Sequence, residues 1–260
     1  MDNLLETVNI VKIVDGTRTE EVDLVVSEAP LTLFVNEQEL VTLLCSPSHQ
    51  QNMALGFLFS EGFITKKVEI KEIIENKNRG IVWVTLSRPF EIDDNFRKGR
   101  TVTTGCARGL TFHKIFDRWN GDYITSKFTV AAKIISDISA DLKQNSTLYL
   151  QSGGAHSATL YYQDTLLFSR EDIGRHNAVD KIIGECLMND ISGDDKILMT
   201  SGRVSSEILL KAARWKFPIL ISRTAPTSAA VKLSDELGMT LIGFARGKRM
   251  NVYTNHWRIN

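Results

Sequence analysis

The chain lacks net charge: its 31 Lys and Arg balance 31 Asp and Glu over 260 residues. That removes the bulk attraction by which a basic protein holds duplex nucleic acid or an anionic bilayer, and neither is an expected partner. A small anionic ligand at a local basic cluster remains open. Long apolar runs are also missing: none approaches the ~18 residues that span a bilayer, and Met1 to Thr7 is not a basic segment leading into an apolar one. A cytoplasmic protein is expected. Cysteine is scarce, and the three present (Cys45, Cys106 and Cys186) are odd in number and widely spaced, which argues against a disulfide framework and fits a reducing compartment. No Cys-x-x-Cys occurs to supply a thiolate pair for zinc. Internal repeats and low-complexity tracts are absent as well.

What remains is an ordinary globular composition, 43% hydrophobic and 24% charged, in one large domain or two modest ones. Residues 8–14, 21–26, 31–35 and 40–44 read as strands in a meander or hairpin. Ser46-Pro47 is expected to cap a very apolar helix through Met53 to Phe59, ended by Gly62. A short helix over 68–75 and a strand over 81–86 follow. Residues 97–110 read as a loop rich in small and basic residues.

The second half is more regular. An amphipathic helix spans 130–142, and strands 157–162 and 165–169 turn at Gln163-Asp164. Helices 178–188, 205–214 and 228–237 then alternate with strands 196–200, 219–222 and 239–244. This alternation predicts a mixed α/β sandwich with a largely parallel sheet. A boundary is expected near residue 126, between a β-rich N-terminal subdomain (1–126) bearing the loop and an α/β C-terminal domain (127–260).

In a parallel sheet the strand-to-helix turns open on one edge. Here the turns are polar: Gly174, Arg175, His176 and Asn177 in the first, Ser201, Gly202 and Arg203 in the second, and Arg223 with Ala225, Pro226, Thr227 and Ser228 in the third. Singly, their hydroxyl and amide residues read as helix caps and their arginines as solvated charges. Together they make an anion pocket for a phosphate-bearing ligand. The order of elements is similar to the cytidine-deaminase-like fold, with His176-Asn177-Ala178 where a deaminase has His-x-Glu and residues 201–205 where it has Pro-Cys-x-x-Cys. With the thiolates and the glutamate missing, no zinc and no deamination are expected. His176 is left as a ligand contact or a structural histidine.

Cys106 lies between Gly105 and Ala107, downstream of Arg97, Lys98 and Arg100. Nearby positive charge favours the thiolate, which makes Cys106 a candidate nucleophile and sulfur carrier, or else an idle thiol in a loop. Cys45 and Cys186 read as small core residues.

Six stretches resemble the FdhD family of formate dehydrogenase accessory sulfurtransferases: residues 28–36, 54–62, 170–181 (Arg-Glu-Asp-Ile-Gly-Arg-His-Asn-Ala-Val-Asp-Lys), 201–207, 225–228 and 243–246. The resemblance covers nearly the whole chain. It implies a homodimer that takes persulfide sulfur from a cysteine desulfurase and inserts it into the molybdenum or tungsten bis-pterin guanine dinucleotide cofactor of the formate dehydrogenase catalytic subunit. It further implies a deaminase-like cofactor-binding domain without zinc, with Phe244 and Arg246 joining the three turns at the cofactor. One departure stands out: the family's loop commonly carries Cys-x-x-Cys, and here Gly109 stands three positions after Cys106.

Overall fold

The computed structural model describes residues 4–92, 101–102 and 123–260. Strands β1 (Leu5–Val14) and β2 (Thr17–Val26) form a hairpin of their own, turned by Asp15 and Gly16, whose φ angles of 49° and 80° suit the twist of the strands. β3 (Ala29–Val35) and β4 (Gln38–Cys45) turn at Asn36 and Glu37, also at positive φ, and join β5 (Ile70–Asn76), β6 (Ile81–Leu86) and β7 (Thr101–Val102) in a five-stranded sheet of order β5-β6-β3-β4-β7.

The second half supplies α2 (Ala132–Gln144) and α3 (Thr147–Ser152), then the hairpin β8 (His156–Tyr162) and β9 (Thr165–Asp172). Next come α4 (Arg175–Met188), β10 (Ile197–Thr200), α5 (Ser206–Arg214), β11 (Ile219–Ser222), α6 (Ser228–Glu236), β12 (Thr240–Arg246) and β13 (Arg249–Val252). The sheet order is β13-β12-β11-β10-β8-β9. No helix among the described residues is long and apolar enough to cross a membrane.

The mixed α/β class is as expected, with four local corrections. The sheet is mixed rather than largely parallel: only β10–β11 and β11–β12 run parallel, because both flanks are closed by antiparallel hairpins. Residues 70–76 are a strand, because antiparallel pairing with β6 overrides their local helical pattern. Within 97–110, Thr101–Val102 add an edge strand beside Thr42 and Leu43. Helix α1 spans Gln50–Ser60 and starts at His49, held at φ 51°, not at Ser46-Pro47. Ser46 is engaged elsewhere.

The six-stranded sheet buries both faces. Leu198, Leu220 and Leu241 join the large core with α1 and the five-stranded sheet, while their neighbours Ile197, Met199, Ile219, Ile221 and Ile242 face α2. Alternate residues thus fill opposite layers, which explains why these strands read as continuous apolar runs. The large core is continuous from Leu31 to Leu241, on both sides of residue 126.

What joins the halves most closely is the α1–α4 crossing. A Cβ on Gly56 would lie 1.8 Å from the Asp180 carbonyl oxygen, and one on Gly184 would lie 1.8 Å from that of Asn52. Backbone meets backbone at both glycines, so no side chain fits there.

Candidate functional site

β8 is antiparallel to both β9 and β10, and β10 to β12 are parallel, so β9, β10, β11 and β12 all end at one edge. The turns after β9, β10 and β11 meet there. Gly202 is wedged against the first turn: a Cβ on it would stand 2.9 Å from Arg175 Cβ and 3.4 Å from His156 Nδ1. The second and third turns pair as a parallel bridge at Val204 and Pro226, where Val204 N–H donates to the Ala225 carbonyl (3.3 Å) and Thr227 N–H to the Val204 carbonyl (2.9 Å).

A cavity of about 610 Å³ opens at this edge, lined among others by Lys143, Tyr149, Gly153, Gly154, His156, Ser201, Arg223, Thr224 and Arg246. Ser201 Oγ accepts from the Ser157 N–H at 2.9 Å and lies 3.4 Å from His156 Nδ1. Arg246 Nε donates to the Arg223 backbone carbonyl at 3.0 Å, and both residues line the cavity. A bulge in β12 makes this possible: the register shifts between Gly243 and Arg246, and Phe244 takes φ 52° while donating to the Thr224 carbonyl at 3.0 Å. Burial, with the Arg175 charge nearby, holds the His156 imidazole below its usual pKa and so neutral. Three cationic side chains, hydroxyls and two glycines around such a volume suit an anionic ligand.

Other residues singled out from the sequence lie beside the cavity without lining it. Arg203 is exposed, and Ala225 and Pro226 are half-buried in the bridge. Thr227 caps α6 by accepting from Ala230 N–H, with Ser228 opening that helix. Gly174 is the N-cap of α4, its N–H given to Asp172 Oδ1 at 2.9 Å, and Gly202 N–H goes to Thr200 Oγ1. Several of the backbone donors expected to face a phosphate therefore already serve the fold. Asn177 Nδ2 donates to Asp172 Oδ1 (2.8 Å) and to the Leu44 carbonyl (2.9 Å), a tie between halves.

His176 is buried, its Nε2 3.6 Å from Glu207 Oε2 and its Nδ1 without a partner; burial and the charges of Lys211 and Arg175 push its pKa down to about 3. It is a neutral core histidine at pH 7. Among the described residues no three His, Cys, Asp or Glu side chains are grouped to hold a metal.

Sequence reasoning missed the network beneath this edge. Lys181 Nζ lies 2.7 Å from Asp172 Oδ2, both side chains fully buried, and donates to the carbonyls of Glu171 and Ser46 and to Ser48 Oγ. Asp172 also accepts from Ser46 N–H at 3.1 Å, and Ser46 Oγ accepts from Ile173 N–H at 3.1 Å. The residue before Lys181 on α4 makes a second such pair: Asp180 meets Lys211 at 2.6 Å and accepts from Ser60 Oγ at 2.7 Å. His156 was also missed as a wall residue, with Gly153-Gly154 just before it as the available signal, whereas Arg223 and Thr224 belong to the third turn that the sequence marked for the anion pocket.

Cys106 lies outside the described residues. Cys45 and Cys186 are fully buried, and burial, helped by the charges of Asp172 and Glu185 respectively, pushes each thiol up to about 12.

Comparison with known proteins agrees with this architecture. The chain is 40% identical over 245 residues to a sulfur carrier protein FdhD of Bacillus pumilus, covering 94% of each chain. It is 40% identical over 237 residues to the protein of that name from Bacillus subtilis, covering 91% of this chain and 90% of that one. A crystal structure from Desulfotalea psychrophila, described as a formate dehydrogenase accessory protein, superposes with a TM-score of 0.80 at 27% identity, over 99% of this chain and 100% of that one. The model of the FdhD/NarQ family matches residues 26–260, and the chain belongs to that family.

Proposed function

We propose that this protein is a cytoplasmic sulfurtransferase. On this reading it carries persulfide sulfur on Cys106 from a cysteine desulfurase to the molybdenum or tungsten bis-pterin guanine dinucleotide of formate dehydrogenase. The observation that carries the reading is the state of the thiols. Two of the three cysteines are sealed in the core with thiols pushed up to about 12, so their thiolate populations at neutral pH are negligible, and Cys106 is the cysteine that remains.

In the loading step the Cys106 thiolate attacks the terminal sulfur of the desulfurase persulfide. The donor's S–S bond breaks, its thiolate leaves, and a new S–S bond forms on Cys106 with no net oxidation. With Gly109 three positions on, no loop thiol can resolve that persulfide. For release, an external thiol attacks Cys106 sulfur: hydrosulfide departs toward the metal, and the oxidising equivalents stay behind as a mixed disulfide. The cavity walled by Arg223 and Arg246 suits the phosphates of the dinucleotide substrate.

The test is incubation with desulfurase and labelled cysteine followed by peptide mass spectrometry. Label on Cys106, retained in Cys45→Ser and Cys186→Ser variants, is the expected result. Activation of formate dehydrogenase that survives Cys106→Ala would leave only a cofactor-binding chaperone. For the cavity, Arg223→Ala or Arg246→Ala should weaken GDP binding by about 1–3 kcal/mol, and Arg203→Ala by less, in calorimetry at fixed salt. Equal losses at all three would move the phosphates off that wall.

A further inference from the structure

His156 opens β8 at the edge where the three turns meet, paired with Asp172 of β9, and it lines the cavity. The charges on that wall are of one sign: Lys143 of α2, Arg223 of the third turn and Arg246 of β12 line it, and among the described residues no carboxylate does. From α4 the imidazole feels Arg175, while His176 on the same helix stays neutral. The carboxylates of β9 are already engaged. Asp172 is paired with Lys181, and Glu171 accepts from the N–H groups of Leu148 and Tyr149 at 2.8 and 2.9 Å. An imidazole titrates near pH ~6.5 in water, and a proton added here is a cation added among cations. Burial and Arg175 accordingly outweigh Asp172 and keep His156 neutral. An anion in the cavity reverses that balance, because the imidazolium then gains a partner.

Ser201, which also lines the cavity, gives that change a consequence. Its hydroxyl oxygen accepts from Ser157 N–H at 2.9 Å and lies 3.4 Å from His156 Nδ1. A serine hydroxyl has one hydrogen and two lone pairs. Against an unprotonated Nδ1 the hydrogen is spent on the imidazole; against a protonated Nδ1 the second lone pair is used instead and the hydrogen is released. Gly202 keeps the two groups close, since a Cβ there would stand 3.4 Å from His156 Nδ1 and 2.9 Å from Arg175 Cβ. We propose that His156 and Ser201 form a proton-linked phosphate grip: an entering anion draws a proton from solvent onto His156 Nδ1, the new N–H donates to Ser201 Oγ, and the Ser201 hydroxyl hydrogen turns from the imidazole to the ligand. The pair loses no hydrogen bond in the exchange, and the ligand gains a cation and a hydroxyl donor beside Arg223 and Arg246. This rests on the reading of the cavity as a phosphate site and adds to it that affinity rises as pH falls.

The experiment is calorimetric titration of the full chain with diguanosine 5′,5′-pyrophosphate at pH 5.5 and pH 8 and fixed ionic strength. The phosphates of this probe are diesters, so its charge is the same at both pH values and any proton exchanged belongs to the protein. An opposite charge within about 4–6 Å moves a pKa by about 1–3, and the lower end is worth about tenfold in affinity. The wild type should therefore bind about tenfold more tightly at pH 5.5 than at pH 8, with net proton uptake read from the dependence of the binding heat on the buffer's own ionisation heat. His156→Gln should bind with the same affinity at both pH values and exchange no proton. Ser201→Ala should lose affinity severalfold at pH 5.5 and little at pH 8, since only the protonated pair frees the hydroxyl. A second measurement needs no variant for its readout: the ring resonances of His156 in the wild type, followed by NMR across this range, should titrate at higher pH with the probe bound than without it. Wild-type affinity that is flat with pH, a pH dependence that survives in His156→Gln, equal losses in Ser201→Ala at both pH values, or an unmoved His156 titration would each overturn the proposal while leaving the phosphate reading in place. No binding of the probe at either pH would overturn both.

Discussion

Lys181→Met separates the structural content of the 170–181 run from any ligand role. The substitution keeps an unbranched side chain one atom shorter and removes its charge, leaving the Asp172 carboxylate fully buried without its counter-ion. Removing one member of a buried pair costs about 3–5 kcal/mol. The lower end is expected, because Asp172 keeps the N–H groups of Ser46 and Gly174 and the Asn177 amide. Against this, Ser48 Oγ and the Glu171 and Ser46 carbonyls each lose a donor. For a chain of this size about 3–5 kcal/mol corresponds to a fall in melting temperature of roughly 6–20 °C, read by circular dichroism at pH 7. The double variant Asp172→Asn/Lys181→Met, which has no orphaned charge, should recover part of the loss, and the non-additivity reports the pair's coupling. A loss below about 1 kcal/mol in Lys181→Met, or strictly additive effects, would refute the assignment of this pair as the clasp between the β4–α1 turn and α4.

Gly184→Ala should destabilise by about 1–3 kcal/mol in urea unfolding, although helix propensity alone favours Ala by about 1 kcal/mol, because the new methyl meets the Asn52 carbonyl; a stabilised variant would mean that the helices separate freely. His176 gives a pH signature. Its folded pKa of about 3 lies below the unfolded value of about 6.5, so the unfolded chain takes up a proton first and stability falls as pH drops below about 6.5, reaching about 2 kcal/mol from this group at pH 5. His176→Gln should remove that increment in denaturant titrations at pH 7 and pH 5, and an unchanged pH dependence would show His176 to be protonated in the fold.

Much of the fold was legible because short-range chemistry decided it. Strands 81–86 and 219–222 had only one plausible reading, as apolar runs bounded by turn residues, and Gln163-Asp164 marked its hairpin. The misreadings fall where a distant partner overrules local signal. Ser46-Pro47 has the look of a helix start, yet Ser46 bonds across 126 and 127 positions to Asp172 and Ile173, and the helix begins only after His49 has taken a left-handed turn. Residues 70–76 carry a helix-like mixture of Lys, Glu and Ile, and the open edge of β6 makes them a strand.

The same division explains what could be read of the site. Parallel strand direction brings the turns after β9, β10 and β11 together whatever their sequence distance, so topology alone located the edge. Which side chains face the cavity depends on the β12 bulge and on Phe244 at positive φ, and neither leaves a mark in the local pattern beyond Gly243, whose Cβ would stand 2.9 Å from Pro226 Cδ. The distinctive run of twelve residues from Arg170 to Lys181 looks like a ligand motif because it is dense in polar and charged groups. Asp172, Asn177 and Lys181 are instead bonded to Ser46, Leu44 and one another, and Arg170 to Glu185. Buried charges are tolerated only with complete sets of partners, which restricts a sequence as tightly as substrate contact does. A motif of this kind therefore identifies a shared core more surely than it identifies the groups that touch a substrate, and at this edge the wall residues Arg223, Thr224 and His156 lie outside it.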